Sequence, residues 1–548
     1  MKKFVLILLS VVISLAACTR PFASSEVYIP VMPTYDPSVD MPGLSGENAA
    51  NSAGVDALTP LRPPDGVQPA PLGPVQAATD LPIGAAPTLT PYRPPTPPTG
   101  SVLASPTPDK PKTLPTLRTK EESYTVQPSD TLNLIARKYG VEVSAIMEAN
   151  QLTNANLIAV GQKLSIPAPL VKARASAFKI IPDSELVLGP NTAGFSVQKF
   201  VASQKGYLAS YEEKLDERNY SGAQVVERIA QEYSVNPRLL LSVLEFQSGW
   251  VTRSNPPENR RDYPLGRIEI FRKGLYRQLA WGANMLNRGY YLWRVNGIWS
   301  WQISDGTVAP AAPDINAGTA GVQHFFSYLY DRAGWDRAVS DKGLYATYTQ
   351  FFGVPFSYAF EPIVPPNLSQ PKLLLPFEAG TVWSFTGGPH GGWGDGSAWA
   401  ALDFAPPGEG GGCRKSSEWV TAMAGGVITR SDLGAVVQDL DGDGDERTGW
   451  SILYMHIASA ERVAAGTRLK AGEPIGHPSC EGGVSNGTHT HIARRYNGEW
   501  IAADGSIPFN LEGWISVGAG AEYCGYLKRN GQTLEAWDQK TDTNQIGR

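Results

Sequence analysis

Asn486-Gly487-Thr488-His489-Thr490-His491-Ile492-Ala493 decides how the last third of this chain is read. Ile492 and Ala493 continue the segment as a strand, and the two-residue period of a strand puts both imidazoles on one face. One of them can then hold a metal ion while its neighbour moves protons. The chain has six histidines, and five of them, His390, His456, His477, His489 and His491, fall in that final third. Such clustering points to a metal site.

Outward from this pair stand Thr386-Gly387-Gly388-Pro389-His390, Ala401-Leu402-Asp403-Phe404-Ala405, Thr421-Ala422-Met423-Ala424-Gly425-Gly426-Val427-Ile428, Leu453-Tyr454-Met455-His456-Ile457 and Gly472-Glu473-Pro474-Ile475-Gly476. In this order, over about Leu373 to Ile515, they resemble the lysostaphin-like zinc endopeptidases of peptidoglycan. Most of that family has a histidine four residues before the aspartate, where this chain has Trp399. The branch containing staphylolysin and the beta-lytic endopeptidases instead places Gly-Gly-Pro-His ahead of a longer loop, which His390 and Asp403 match.

The resemblance implies a mainly antiparallel β zinc peptidase domain, here residues 371–548. In it His390, Asp403 and His491 would ligate zinc and leave one position open for water. His456 and His489 would form the catalytic pair, one taking a proton and the other stabilising the oxyanion. Asp395 is the competing carboxylate, but it sits among Gly394, Gly396 and Ser397, whereas Asp403 has the family's Leu-Asp-Phe setting. His477 and His324 lie outside the matched positions and are read as structural or surface residues, and Tyr454 as strand core.

Asp439, Asp441, Asp443 and Asp445 alternate around glycines between two strand-like runs, a pattern that suits a hard cation such as calcium. Trp450 stands where an EF-hand would carry its glutamate, so a calcium loop and a solvated hairpin tip both remain open. Apart from Cys18 the cysteines are Cys413, Cys480 and Cys524. The first two flank the expected site and are the expected disulfide, leaving Cys524 over.

At the other end, Lys2 and Lys3 precede an apolar run from Phe4 to Leu15, too short for a comfortable membrane span. It closes on Leu15-Ala16-Ala17-Cys18, which resembles a bacterial lipobox. That resemblance implies loss of residues 1–17, acylation of Cys18 and membrane anchoring, facing outward from the cytoplasm. Residues 18–118 follow as a disordered stalk: 22 of the chain's 45 prolines fall between Pro21 and Arg118, and such a composition cannot bury a core.

Tyr124-Thr125-Val126, Asp130-Thr131-Leu132, Asn150 and Gly161-Gln162-Lys163-Leu164 then resemble a LysM module, over residues 119–169. The resemblance implies a strand, two helices and a strand that bind N-acetylglucosamine-containing glycan. Ser129 departs from the usual glycine. Residues 179–369 carry helical patterns and are expected to form a mainly α domain. Within it, Val235 to Trp250 resembles the catalytic helix of lysozyme-like lytic transglycosylases, except that Gln247 occupies the acid position and Glu245 lies two residues earlier. An amide cannot donate a proton, so this domain is expected to hold glycan without cutting it.

At 548 residues the chain needs several cores. Its net charge of −5 gives no sign of nucleic-acid binding. The expected whole is a lipid-anchored, multidomain zinc endopeptidase acting on peptidoglycan. The alternative is a non-catalytic peptidoglycan-binding scaffold or hydrolase activator.

Overall fold

The asparagine at position 150 shows how the smallest unit closes. Its side chain donates to the carbonyls of Ile146 and Ser165 and accepts from Ser165 N at 2.7 Å, tying the second helix to the last strand. The computed structural model describes residues 111–548 apart from 129, 172 and 409–411. Cys18, the leader, most of the proline-rich stretch and Ser129 therefore lie outside the described residues.

The first unit is β1 (Glu122–Thr125), α1 (Leu132–Tyr139), α2 (Val143–Ala149) and β2 (Lys163–Ile166), with β1 and β2 antiparallel. This is the expected strand, helix, helix, strand order. Val126, Leu132, Ile135, Ile146, Leu164 and Ile166 form its small core.

The second unit contains α3 (Val197–Gln204), α4 (Tyr207–Ser210), a hairpin of β3 (Glu212–Leu215) and β4 (Arg218–Ser221), α5 (Gly222–Tyr233), α6 (Pro237–Ser248) and α7 (Leu275–Arg294). It continues through the hairpin of β5 (Ser300–Gln302) and β6 (Val308–Pro310) to α8 (Ala317–Ser327), α9 (Arg332–Ala338) and α10 (Leu344–Phe352). Local signals explain the boundaries. Ser221 and Gln224 make a reciprocal capping box at the start of α5. Asn236 caps α6, Pro237 opens it, and Gly249 ends it in the left-handed region.

The third unit contains β7 (Val382–His390), β8 (Ala401–Ala405), β9 (Val420–Thr421), β10 (Gly426–Asp432), β11 (Ala435–Asp439), β12 (Trp450–Met455), β13 (Arg468–Leu469), β14 (Pro474–Gly476) and β15 (Thr490–Tyr496). After them come β16 (Glu499–Trp500), β17 (Asn510–Leu511), β18 (Trp514–Gly518), β19 (Gly525–Arg529), β20 (Gln532–Glu535) and β21 (Gln545–Gly547). The main sheet runs β13-β10-β11-β12-β15-β8-β7-β21, with β16 pairing on β15. Its pairings are all antiparallel. β17 to β20 make a second sheet.

Alternation along the strands assigns the two faces of the main sheet. Leu402, Phe404, Val436, Ile452, Tyr454 and Ile492 pack into the β unit's own core. Ala401, Val437, Leu453, Met455 and Ala493 point the other way and share one core with the helices. By the same alternation Asp403 and His491 belong to the helical side. The helical unit and the metal-ligand candidates therefore occupy one face of the sheet. Among the described residues no helix is long and apolar enough to cross a membrane.

Candidate metal centre

His491 on β15 and Asp403 on β8 are direct cross-strand partners, and Gly387 on β7 lies opposite Asp403. A β-carbon at Gly387 would stand 2.4 Å from Asp403 Oδ2, so only glycine lets β7 pass. Three residues further, β7 ends at His390. The donor atoms converge: His390 Nε2 is 2.9 Å from His491 Nδ1 and 3.2 Å from Asp403 Oδ1, and His491 Nδ1 is 3.3 Å from that same oxygen. Ligands about 2.0 Å from a tetrahedral metal ion stand roughly 3.3 Å from one another. All three side chains are buried, and Asp403 Oδ1 has no hydrogen-bond donor. Two imidazoles and an orphaned carboxylate oxygen fit a borderline cation such as zinc.

The other ring nitrogens fix the tautomers. His390 Nδ1 lies 2.8 Å from Gly388 O and His491 Nε2 lies 3.2 Å from Gly392 O. A carbonyl accepts only, so each of these nitrogens carries the hydrogen and each inner nitrogen presents a lone pair. Burial opposes charge on His390, but the Asp403 carboxylate outweighs it and raises the pKa. Burial would raise that of Asp403, yet His390 and His489 hold it well below the usual carboxylate range.

His456 and His489 complete the cluster with ring centroids 4.4 Å apart. His456 follows β12 with φ +62°, a left-handed turn that swings its ring toward β15. Its Nδ1 faces Glu481 O at 3.2 Å, and His489 Nδ1 faces Gly487 O at 2.7 Å. Both therefore keep Nε2 as the lone-pair nitrogen, and His489 Nε2 lies 3.8 Å from Asp403 Oδ1, beyond hydrogen-bond distance. Burial, with His489 and His491 beside it, pushes the His456 pKa well below the usual imidazole value.

The remaining candidates separate cleanly. Asp395 pairs with Arg288 at 2.8 Å and takes no part in the ligand triangle. His477 bonds Glu461 at 3.0 Å and packs against Trp419 with its ring tilted by 40°. Burial lowers the His324 pKa to about 3, and the ring lies within the helical unit. Tyr454 is core, its hydroxyl accepting from Met423 N at 2.8 Å. Cys413 and Cys480 form a disulfide, and Cys524 is free.

Asp439, Asp441 and Asp443 bring carboxylate oxygens within 4.8 Å of one another, while Asp445 turns away to pair with Arg447 at 2.6 Å. Burial and the neighbouring Asp439 raise the Asp441 pKa to about 6. On α6, Glu245 accepts from Val251 N, Thr252 N and Thr252 Oγ1, which fastens the turn after the helix, and Gln247 accepts from Tyr330.

Sequence reasoning missed the residues that surround the ligands. Tyr523 stacks on His390 with centroids 4.2 Å apart, and Glu522 accepts from Gly391 N. Neither belongs to a motif, and the carbonyls of Gly388, Gly392, Glu481 and Gly487 carry no side-chain signal at all.

Residues 179–365 match the family model described as LasA, N-terminal domain, and residues 124–167 match the LysM domain. Protease LasA of Pseudomonas aeruginosa is 26% identical over 349 residues, which cover 59% of this chain and 75% of that protein. The N-acetylmuramoyl-L-alanine amidase XlyA of Bacillus subtilis is 37% identical over 86 residues, 15% of this chain and 29% of that protein. A solved structure described as a novel M23 metalloprotease, pseudoalterin, from the deep sea is 26% identical with a TM-score of 0.26, covering 31% of this chain and 97% of its own. The catalytic domain of lysostaphin from Staphylococcus simulans is 23% identical with a TM-score of 0.17, covering 22% and 87%. Outside its LysM domain the chain is thus similar to protease LasA, over the 349 residues that the two share.

Proposed function

We propose that this protein is a cell-envelope zinc endopeptidase that hydrolyses peptide bonds in peptidoglycan, with the LysM domain holding glycan nearby. The observation that carries this reading is the triangle of His390 Nε2, Asp403 Oδ1 and His491 Nδ1 around an oxygen without a donor. When bound, zinc supplies Lewis acidity toward water and the scissile carbonyl.

The chain's own groups do the rest. Gly388 O and Gly392 O hold the two imidazole ligands in the tautomers that face inward. His456 and His489 each carry Nδ1–H on a backbone carbonyl; His489 Nε2 lies 3.8 Å from Asp403 Oδ1, and the His456 ring centroid lies 6.2 Å from that of His491. One can accept a proton from the attacking water while the other, once protonated, donates to the developing oxyanion. Burial, with His489 and His491 beside it, favours the neutral form of His456, the form that can accept a proton. In the helical unit, Glu245 is committed to the backbone of Val251 and Thr252, so the glycan-holding, non-cutting assignment rests on both Glu245 and Gln247. Acylation at Cys18 and a proline-rich tether complete the proposal from the sequence.

The test is zinc content together with mass analysis of digested cell wall. One zinc per chain with new amino termini in the released stem or bridge peptides supports the reading. A zinc-loaded chain that releases no peptide ends would instead favour a scaffold or activator.

A further inference from the structure

Between β7 and β8 the chain runs through Gly391-Gly392-Trp393-Gly394-Asp395-Gly396-Ser397. Four glycines in the first six residues give this loop a large conformational freedom to lose. Yet its start is the ligand His390, its end leads to the ligand Asp403, and its Gly392 carbonyl accepts from the ligand His491 at 3.2 Å. Something outside the loop must hold it.

That anchor is α7. Arg288 Nη1 is 2.8 Å from Asp395 Oδ2, and Asn284 Nδ2 donates to Asp395 Oδ1. Asn284 Oδ1 in turn accepts from Gly396 N at 2.8 Å. The contact is close: a β-carbon at Gly396 would lie 2.0 Å from the Asn284 carbonyl oxygen, and one at Gly394, where φ is +67°, would lie 2.7 Å from Asn284 Oδ1. Tyr233 of α5 packs against Trp393 with centroids 6.5 Å apart. The ion pair is largely withdrawn from water, with side-chain exposures of 13% for Arg288 and 17% for Asp395, so a missing partner there costs more than at a surface.

We infer that Asn284 and Arg288 are positioning residues of the metal centre: by gripping Asp395 and Gly396 they hold the loop whose Gly392 carbonyl orients His491. The helical unit then belongs to the working metal site as well as to the fold. This inference rests on the metal-centre reading above.

The experiment uses the full chain. Asn284→Asp keeps the shape and the acceptor for Gly396 N but sets a second carboxylate against Asp395. Arg288→Met removes the charge, and Arg288→Lys returns a cation. Zinc affinity is read by competition with a chromophoric chelator, ligand geometry by the visible spectrum of the cobalt-substituted protein, and folding by circular dichroism. Losing an outer-shell partner of a metal ligand, here the Gly392 carbonyl released with its loop, weakens binding by about 10- to 100-fold. Such a loss is expected in Asn284→Asp and Arg288→Met, with an altered cobalt spectrum, native circular dichroism, a lower kcat and a near-normal KM. Arg288→Lys should recover most of the affinity. Wild-type affinity and spectrum in folded Asn284→Asp would overturn the inference, as would equal losses in Arg288→Lys and Arg288→Met. If Asn284→Asp does not fold, the Arg288 pair decides alone. A parent protein that takes up no zinc would sink the metal-centre reading itself, whereas a zinc-binding parent with indifferent variants would sink only this step.

Discussion

His491 and Asp403 face each other across β15 and β8, with Nδ1 and Oδ1 3.3 Å apart, in a register set by ordinary strand pairing. Two of the three ligand candidates are thus delivered by the sheet ladder, and only His390 depends on where a strand ends. Such a site is rigid because its backbone is hydrogen-bonded on both sides.

From that arrangement, His491→Ala is expected to lose both zinc and turnover. His489→Ala should keep most of the zinc while turnover falls at least about 100-fold, the size of a general acid–base contribution. Elemental analysis and peptide release check the pair. Equal zinc loss in both variants would contradict the assignment of ligand and catalytic histidines.

Gly387→Ala would place its methyl carbon 2.4 Å from Asp403 Oδ2, and the carboxylate would have to turn out of the ligand triangle. Zinc affinity and activity should both drop, with the β unit still folded. Gly425→Ala is the control: its β-carbon would meet its nearest neighbour, Leu469 O, at 3.6 Å, an ordinary contact, and should leave zinc binding unchanged.

Glu446 gives a pH dependence away from the metal centre. Burial would raise its pKa, but Arg430 and Arg495 lower it to about 2. In the unfolded chain it titrates at about 4.3. The pairing therefore contributes its full stability above the unfolded value and loses it as pH falls toward 2, about 3 kcal/mol in all. Glu446→Gln should be less stable than the parent at pH 7, and the gap should narrow between about pH 4.5 and 2. Denaturant unfolding across that range measures it, and a constant gap would show that this carboxylate is not responsible.

Deleting residues 119–169 should reduce cleavage of intact sacculi far more than cleavage of a small soluble peptide, because tethering raises the local concentration of cross-links. The two rates, measured side by side for the deleted and full chains, check this. Equal losses on both substrates would remove the targeting role.

The sequence by itself carried the LysM element order and, through its family resemblance, the expectation of an antiparallel β unit and of the five polar groups that the tertiary structure gathers at the candidate metal centre. They are legible because the motifs that carry the resemblance, and the strand period that sets His489 and His491 on one face, are local properties of the chain. The resemblance also favoured Asp403 over Asp395 through the family's Leu-Asp-Phe setting, and in the structure strand alternation sends Leu402 and Phe404 into the core opposite the candidate site. Tertiary structure alone decided what surrounds the ligands. Gly388 O, Gly392 O, Glu481 O and Gly487 O set the tautomers, and every residue has a carbonyl, so composition cannot single these out. The grip of Asn284 and Arg288 on Asp395 spans more than a hundred residues of chain, and it exists because Ala401, Leu453, Met455 and Ala493 offer the helices an apolar sheet face beside the ligands. Which face is covered, and by what, is fixed by burial over the whole molecule and by no local run of residues.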